Sequence, residues 1–122
     1  DDSGLEVDAL GGLPGLRSAR VAPTQAERNR LLLERLRDVA RPWQAQFTCA
    51  LALVRPDAWP VVVEGVRAGV LVEPRAMGGF GYDPLFLVPE VGRTFAEMDG
   101  FEKNRWSHRG AAVRALLERG PF

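Results

Sequence analysis

The run Gln44-Ala45-Gln46-Phe47-Thr48-Cys49-Ala50-Leu51-Ala52-Leu53-Val54-Arg55 decides the architecture. Phe47, Cys49, Leu51 and Leu53 alternate with Thr48, Ala50, Ala52 and Val54, the period of two that an extended strand divides between two faces. Neither set is strongly polar, so the strand is expected inside a sheet and covered on both sides. Pro56-Asp57 and Pro60 bracket a turn, and residues 61–73 form a second, long β stretch. Gly65 and Gly69 within it read as bulges or a tight bend, and Glu64 as a solvent-facing or edge position. Pro74 ends that pairing, and residues 85–88 supply the next strand.

Outward from this pair the period changes. Thr24-Gln25-Ala26-Glu27 has capping-box spacing and opens a helix. Leu32, Leu36, Val39 and Ala40 line its inner stripe, its charged side reads as a solvated face, and Pro42 stops it. Gly11-Gly12-Leu13-Pro14-Gly15 is loop punctuation, and Arg17-Ser18-Ala19-Arg20 suits a short turn of helix. Near the end, Thr94-Phe95-Ala96-Glu97-Met98 reads as one turn and residues 102–106 as another. Ser107 caps a last helix whose inner stripe is Ala112, Val113, Leu116 and Leu117, closed by Gly120 and Pro121. The 122-residue length and the lack of any long linker predict a single domain, 1–122.

Composition excludes several classes. Sixteen basic and sixteen acidic side chains cancel, leaving no bulk field for nucleic acid, and the arginines are dispersed along the chain. No apolar run approaches the ~20 residues that cross a bilayer, and the opening residues lack a signal-peptide pattern. Cytoplasm is the expected compartment. Cys49, the only cysteine, reads as a small buried hydrophobe.

Three segments carry chemistry. Gly78-Gly79-Phe80-Gly81-Tyr82-Asp83-Pro84-Leu85-Phe86 combines bare backbone, one aromatic face and a carboxylate held extended by the following proline. That combination suits a flat, hydrogen-bonding ligand such as a purine, although such a run by itself is more often a glycine-rich turn. Asp1-Asp2-Ser3-Gly4 places two carboxylates and a hydroxyl together. Their mutual repulsion invites a cation such as Mg²⁺; the plain alternative is an exposed turn or helix cap. Ser107-His108-Arg109-Gly110 starts a helix with basic residues where the macrodipole is already positive, with Lys103 and Arg105 just upstream. A solvated basic patch explains this as well as a bound carbonyl or phosphate oxygen does. The only lysine (Lys103), the only histidine (His108) and the only tyrosine (Tyr82) all fall in these segments.

Asp1-Asp2-Ser3-Gly4-Leu5, Pro14-Gly15 with Ser18-Ala19-Arg20, Gly79 to Phe86, Thr94-Phe95-Ala96-Glu97, and Lys103 with Ser107-His108-Arg109-Gly110 occur in an order and at spacings that resemble the inosine triphosphate pyrophosphatase family. Those enzymes hydrolyse non-canonical purine nucleoside triphosphates. The resemblance implies an α/β fold with a long twisted mixed sheet flanked by helices, a homodimer, and conversion of ITP, dITP or XTP to the monophosphate and pyrophosphate. It implies Asp2 as general base and Mg²⁺ ligand, Asp1 beside it, and Ser3 in contact with substrate. Phe80 would stack on the purine, Gly81, Tyr82 and Asp83 would complete that wall, and Lys103, His108 and Arg109 would reach the base.

Family members begin with a strand, a Thr/Ser-x-Asn-x-x-Lys phosphate loop and a metal-binding glutamate, none of which lies in these 122 residues. The match therefore corresponds to the C-terminal two-thirds of a member, and the residues by themselves are expected to be nearly inert. The competing reading is a nucleotide-binding or interaction module without catalysis.

Overall fold

The computed structural model describes residues 2–15, 22–75 and 81–122. Six strands form one sheet: β1 (Asp2–Val7), β2 (Pro14–Gly15), β3 (Trp43–Arg55), β4 (Ala58–Leu71), β5 (Phe86–Val88) and β6 (Arg93–Thr94), in the order β2-β1-β3-β4-β5-β6. Every pairing among them is antiparallel. Three helices accompany the sheet: α1 (Gln25–Leu36), α2 (Gly100–Trp106) and α3 (His108–Glu118). The expected α/β fold, with a long sheet and flanking helices, is present, although the described strands pair antiparallel throughout and not as the mixed sheet expected.

The hairpin of β3 and β4 is the spine. The registers align Ser3 with Cys49 and Gly65, Leu5 with Phe47 and Arg67, and Val7 with Ala45 and Gly69. These odd-numbered positions share one face. On it Leu5, Val7, Trp43, Ala45, Phe47 and Leu71 are buried with Leu32 and Leu36 of α1 and with Phe86 and Phe95. On the other face Glu64, Val66 and Ala68 are exposed, and Gln46, Thr48 and Ala50 half-buried. The expectation that β3 is covered on both sides is therefore corrected. Among the described residues the sheet has one covered face and one open face.

Gly65 and Gly69 are not bulges. The β3–β4 ladder runs unbroken past both, and its one register shift lies between Leu53 and Arg55. The glycines are there because other elements approach. A Cβ on Gly65 would stand 2.1 Å from the backbone oxygen of His108 and 2.3 Å from the nitrogen of Ala112. On Gly69 it would stand 2.5 Å from the Leu87 oxygen. Helix α3 thus lies directly on β4.

Local signals set the helix ends. The Thr24 hydroxyl accepts from the Glu27 amide at 3.2 Å, and α1 finishes at Leu36, ahead of the stop expected at Pro42. Asp99 caps α2, and Ser107 caps α3 by accepting from the Gly110 amide at 2.9 Å. The stripe expected on α3 is partly wrong. Ala112 is buried and Leu116 half-buried, but Val113 and Leu117 are 42% and 69% exposed. Packing the helix at Gly65 brings His108, Gly110 and Ala112 inward instead.

Candidate functional site

Asp2-Ser3-Gly4 is neither turn nor cap but the start of β1, which alternates its side chains between faces. Ser3 and Leu5 lie on the covered face, Asp2 and Glu6 on the open one. A cavity of ≈ 500 Å³ opens on the covered side, between β1, β3, α1, the 81–83 segment and the C-terminal helices. Seven of the expected substrate-binding residues line it: Ser3, Gly81, Tyr82, Asp83, Lys103, His108 and Arg109. Asp2 does not. It is exposed and borders a separate hollow with Glu6, Gln46, Thr48 and Glu64. Asp1, Phe80 and Ser18-Ala19-Arg20 lie outside the described residues.

The strand-to-turn passage at Gly81, with φ of +60°, feeds a short 3₁₀ turn at Asp83–Leu85. Positive φ at this point suits glycine, which has no Cβ to clash. Tyr82 and Asp83 are buried, Asp83 to 3% exposure. A carboxylate so placed needs a cation, and Lys103 Nζ of α2 supplies it at 2.5 Å from Oδ2. The Lys103 ammonium also stands 5.9 Å from the centre of the Phe95 ring.

His108 is the most constrained member. Its ring lies 4.6 Å from that of Phe47 at 13°, and 6.2 Å from that of Phe95 at 26°. It is 8% exposed, and its Nδ1 is buried with no hydrogen-bond partner in the structure. Burial, followed by the charges of Arg109 and Lys103, lowers its pKa from 6.5 to about 4. The imidazole is therefore neutral at pH 7. The basic start of α3 thus carries less charge than the sequence suggests, since only Arg109 is cationic in that first turn. The region is a solvated basic patch only in part: Arg105 and Arg109 are exposed, but Lys103 is paired and His108 buried.

Thr94-Phe95-Ala96-Glu97 supports the site from below. Glu97 accepts hydrogen bonds from the Thr94 amide at 2.9 Å and its hydroxyl at 3.1 Å. The resulting turn is compact enough to bury Phe95 beneath the imidazole.

Sequence reasoning gave no role to five cavity residues: Gly4, Leu5, Gln25, Arg28 and Phe47. Gly4 and Leu5 stood only within the motif that opens the chain, and Phe47 only in the alternation of β3. Gln25 was read only as part of the capping box and Arg28 was not singled out, yet the first turn of α1 forms part of the wall. Arg28 donates to Gln25 Oε1, Gln25 to Asn29 Oδ1, and Asn29 to the Gly81 carbonyl, at 3.2, 2.8 and 3.4 Å. That relay ties α1 to the glycine turn. No motif spacing announces it.

Fold and site together define an α/β domain with a cation-lined cavity between its sheet and its C-terminal helices. The model of the Ham1 family matches residues 1–119. The chain belongs to the Ham1 family. It is 57% identical over 122 residues to the dITP/XTP pyrophosphatase of Thermus thermophilus, covering 97% of this chain and 59% of that protein. It is 53% identical over 126 residues to the dITP/XTP pyrophosphatase of Gloeobacter violaceus, covering 100% and 64%. Among solved structures, the Staphylococcus aureus Ham1 protein superposes with a TM-score of 0.88 at 36% identity, over 96% of this chain and 62% of that one. A HAM1 protein from Coxiella burnetii gives 0.85 at 44% identity, over 95% and 62%. The chain spans about 60% of the length of such relatives. The resemblance carried by the motifs is thereby borne out.

Proposed function

We propose that this chain forms the base-recognising part of an enzyme that hydrolyses ITP, dITP and XTP to the monophosphate and pyrophosphate. The observation that carries this reading is the convergence of Ser3, Gly81, Tyr82, Asp83, Lys103, His108 and Arg109 on one cavity. The names of the relatives, dITP/XTP pyrophosphatases, agree with it. Arg109 and Lys103 have only donors, so they suit a 6-keto oxygen and would leave an adenine amino group facing donors. Such a mismatch costs ~1–3 kcal/mol for each buried unpaired group. Stacking on Phe80 would hold the purine plane, and Ser3 would contact the substrate.

Asp2 would take the proton of the attacking water and, with Asp1, hold Mg²⁺. Its solvent-facing carboxylate is the hard oxygen donor that Mg²⁺ prefers, and one or two such groups plus phosphates commonly suffice. The described residues include no cluster of three metal-binding side chains. When bound, the ion would neutralise phosphate charge.

We further infer a homodimer working in the cytoplasm, without nucleic-acid or membrane partners. Among the described residues no helix is long and apolar enough to cross a membrane, and the formal net charge is +0.

Titration of the chain with IMP and AMP tests the base reading. IMP binds about tenfold more tightly, and Arg109→Ala removes most of the difference; equal affinities for the two would reject it. In a protein of the relatives' full length, Asp2→Asn abolishes pyrophosphate release from ITP and spares IMP binding. Retained turnover there would disqualify Asp2 as the base.

A further inference from the structure

We propose that Arg28 binds an anionic phosphate oxygen of the nucleotide from the α1 side of the cavity. The inference rests on the nucleotide reading above. Arg28 is half-buried in the first turns of α1 and lines the cavity with Gln25. Three hydrogen bonds hold its guanidinium: Nε to the Ala22 carbonyl at 2.8 Å, Nη1 to Gln25 Oε1 at 3.2 Å, and Nη2 to the Pro23 carbonyl at 3.5 Å. A guanidinium has five N–H donors, so two remain uncommitted. No carboxylate pairs with Arg28 among the described residues. Elsewhere on the same helix, Arg30 pairs with Glu34 on the exposed side. Arg28 is thus fixed, partly desolvated and without a counter-charge.

Charge within the cavity points the same way. Among the described residues its charged side chains are Arg28, Lys103 and Arg109 against Asp83, and Asp83 is matched by Lys103. With His108 neutral, the lining carries an excess of two positive charges. A neutral oxopurine needs donors but no net charge. The part of the ligand that answers an excess of cations is its phosphate, and a guanidinium binds phosphate oxygens through paired donors. Lys103 and Arg109 come from α2 and α3. Arg28 is the one cation contributed from α1, held in place by the relay to Gly81. Its position beside a capped helix start adds the positive end of the macrodipole.

The test is an NMR titration of the chain with IMP and with inosine, repeated on Arg28→Gln and Arg28→Lys. Arg28→Gln weakens IMP by about tenfold, the scale of one charge-assisted hydrogen bond, and leaves inosine within about twofold. It also flattens the salt dependence of IMP binding. Arg28→Lys restores part of the IMP affinity. If Arg28 only tied residues 22–23 to the helix, inosine and IMP would weaken together, and the proposal would fall. Unchanged IMP affinity in Arg28→Gln would also sink it, while an intact preference for IMP over AMP left the base reading standing. A chain that binds no IMP at all would lose both.

Discussion

His108 is a histidine kept uncharged by where it sits, against Phe47 and Phe95 and beside two cations. Because its folded pKa lies below the ordinary 6.5, the unfolded chain takes up a proton that the folded chain refuses. The stability it lends is complete above about pH 6.5 and is lost as pH falls toward 4. Urea midpoints measured from pH 7 to 4.5 fall more steeply for the natural chain than for His108→Gln; parallel slopes would show that the ring is not buried as described. Lys103 answers Asp83 in the same compartment. Lys103→Met leaves a carboxylate at 3% exposure without its ammonium, a loss on the order of 2–3 kcal/mol read by urea unfolding. The chemical identities of these residues were visible in the sequence. Their ionisation was not, because it depends on rings and charges contributed by β3, α2 and the 95–97 turn.

Gly65 is where one element meets another. Helix α3 touches β4 through backbone atoms, which cannot swing aside as a side chain would. Gly65→Ala therefore costs about 3 kcal/mol or more, at the upper end for overpacking, and lowers the thermal midpoint by several degrees. It also moves His108 relative to Phe47, so IMP affinity falls with stability; an alanine tolerated within ~0.5 kcal/mol would show that α3 does not rest there. Strand periodicity and capping residues were enough to place β3, β4, α1 and α3 to within a few residues. They misjudged Gly65 and Gly69, since a glycine that bends a strand and a glycine that admits a neighbour look alike in one dimension. The same blindness put Val113 and Leu117 inside.

At the scale of the molecule, the sheet divides the chemistry between its two faces. The cavity lined by Ser3, Asp83 and Lys103 lies on the covered face and the Asp2 carboxylate on the open one, separated by the thickness of β1. A ligand gripping Ser3, Tyr82, Lys103 and Arg109 at once joins β1, the 81–83 segment, α2 and α3 into one cooperative unit. IMP at one hundred times its dissociation constant accordingly raises the unfolding free energy by about 2.7 kcal/mol. A rise in thermal midpoint with IMP, and about half of it with AMP at the same concentration, is the expected outcome in a melting experiment.

Alternation, caps and turn residues are local, so the central strands, the helices and most residue types at the cavity could be read directly from the chain, while β1 and β2 passed for turn and loop. The turn at Gly81-Tyr82-Asp83 and the basic start of α3 belong to that legible part. What lies between distant segments could not. Arg28 and Phe47 joined the cavity, and Asp2 was separated from it, through antiparallel register and the docking of α1 and α3, contacts between residues tens of positions apart. Hydrogen-bond relays, stacking and burial act through space rather than along the backbone, and for that reason only the tertiary structure decided them.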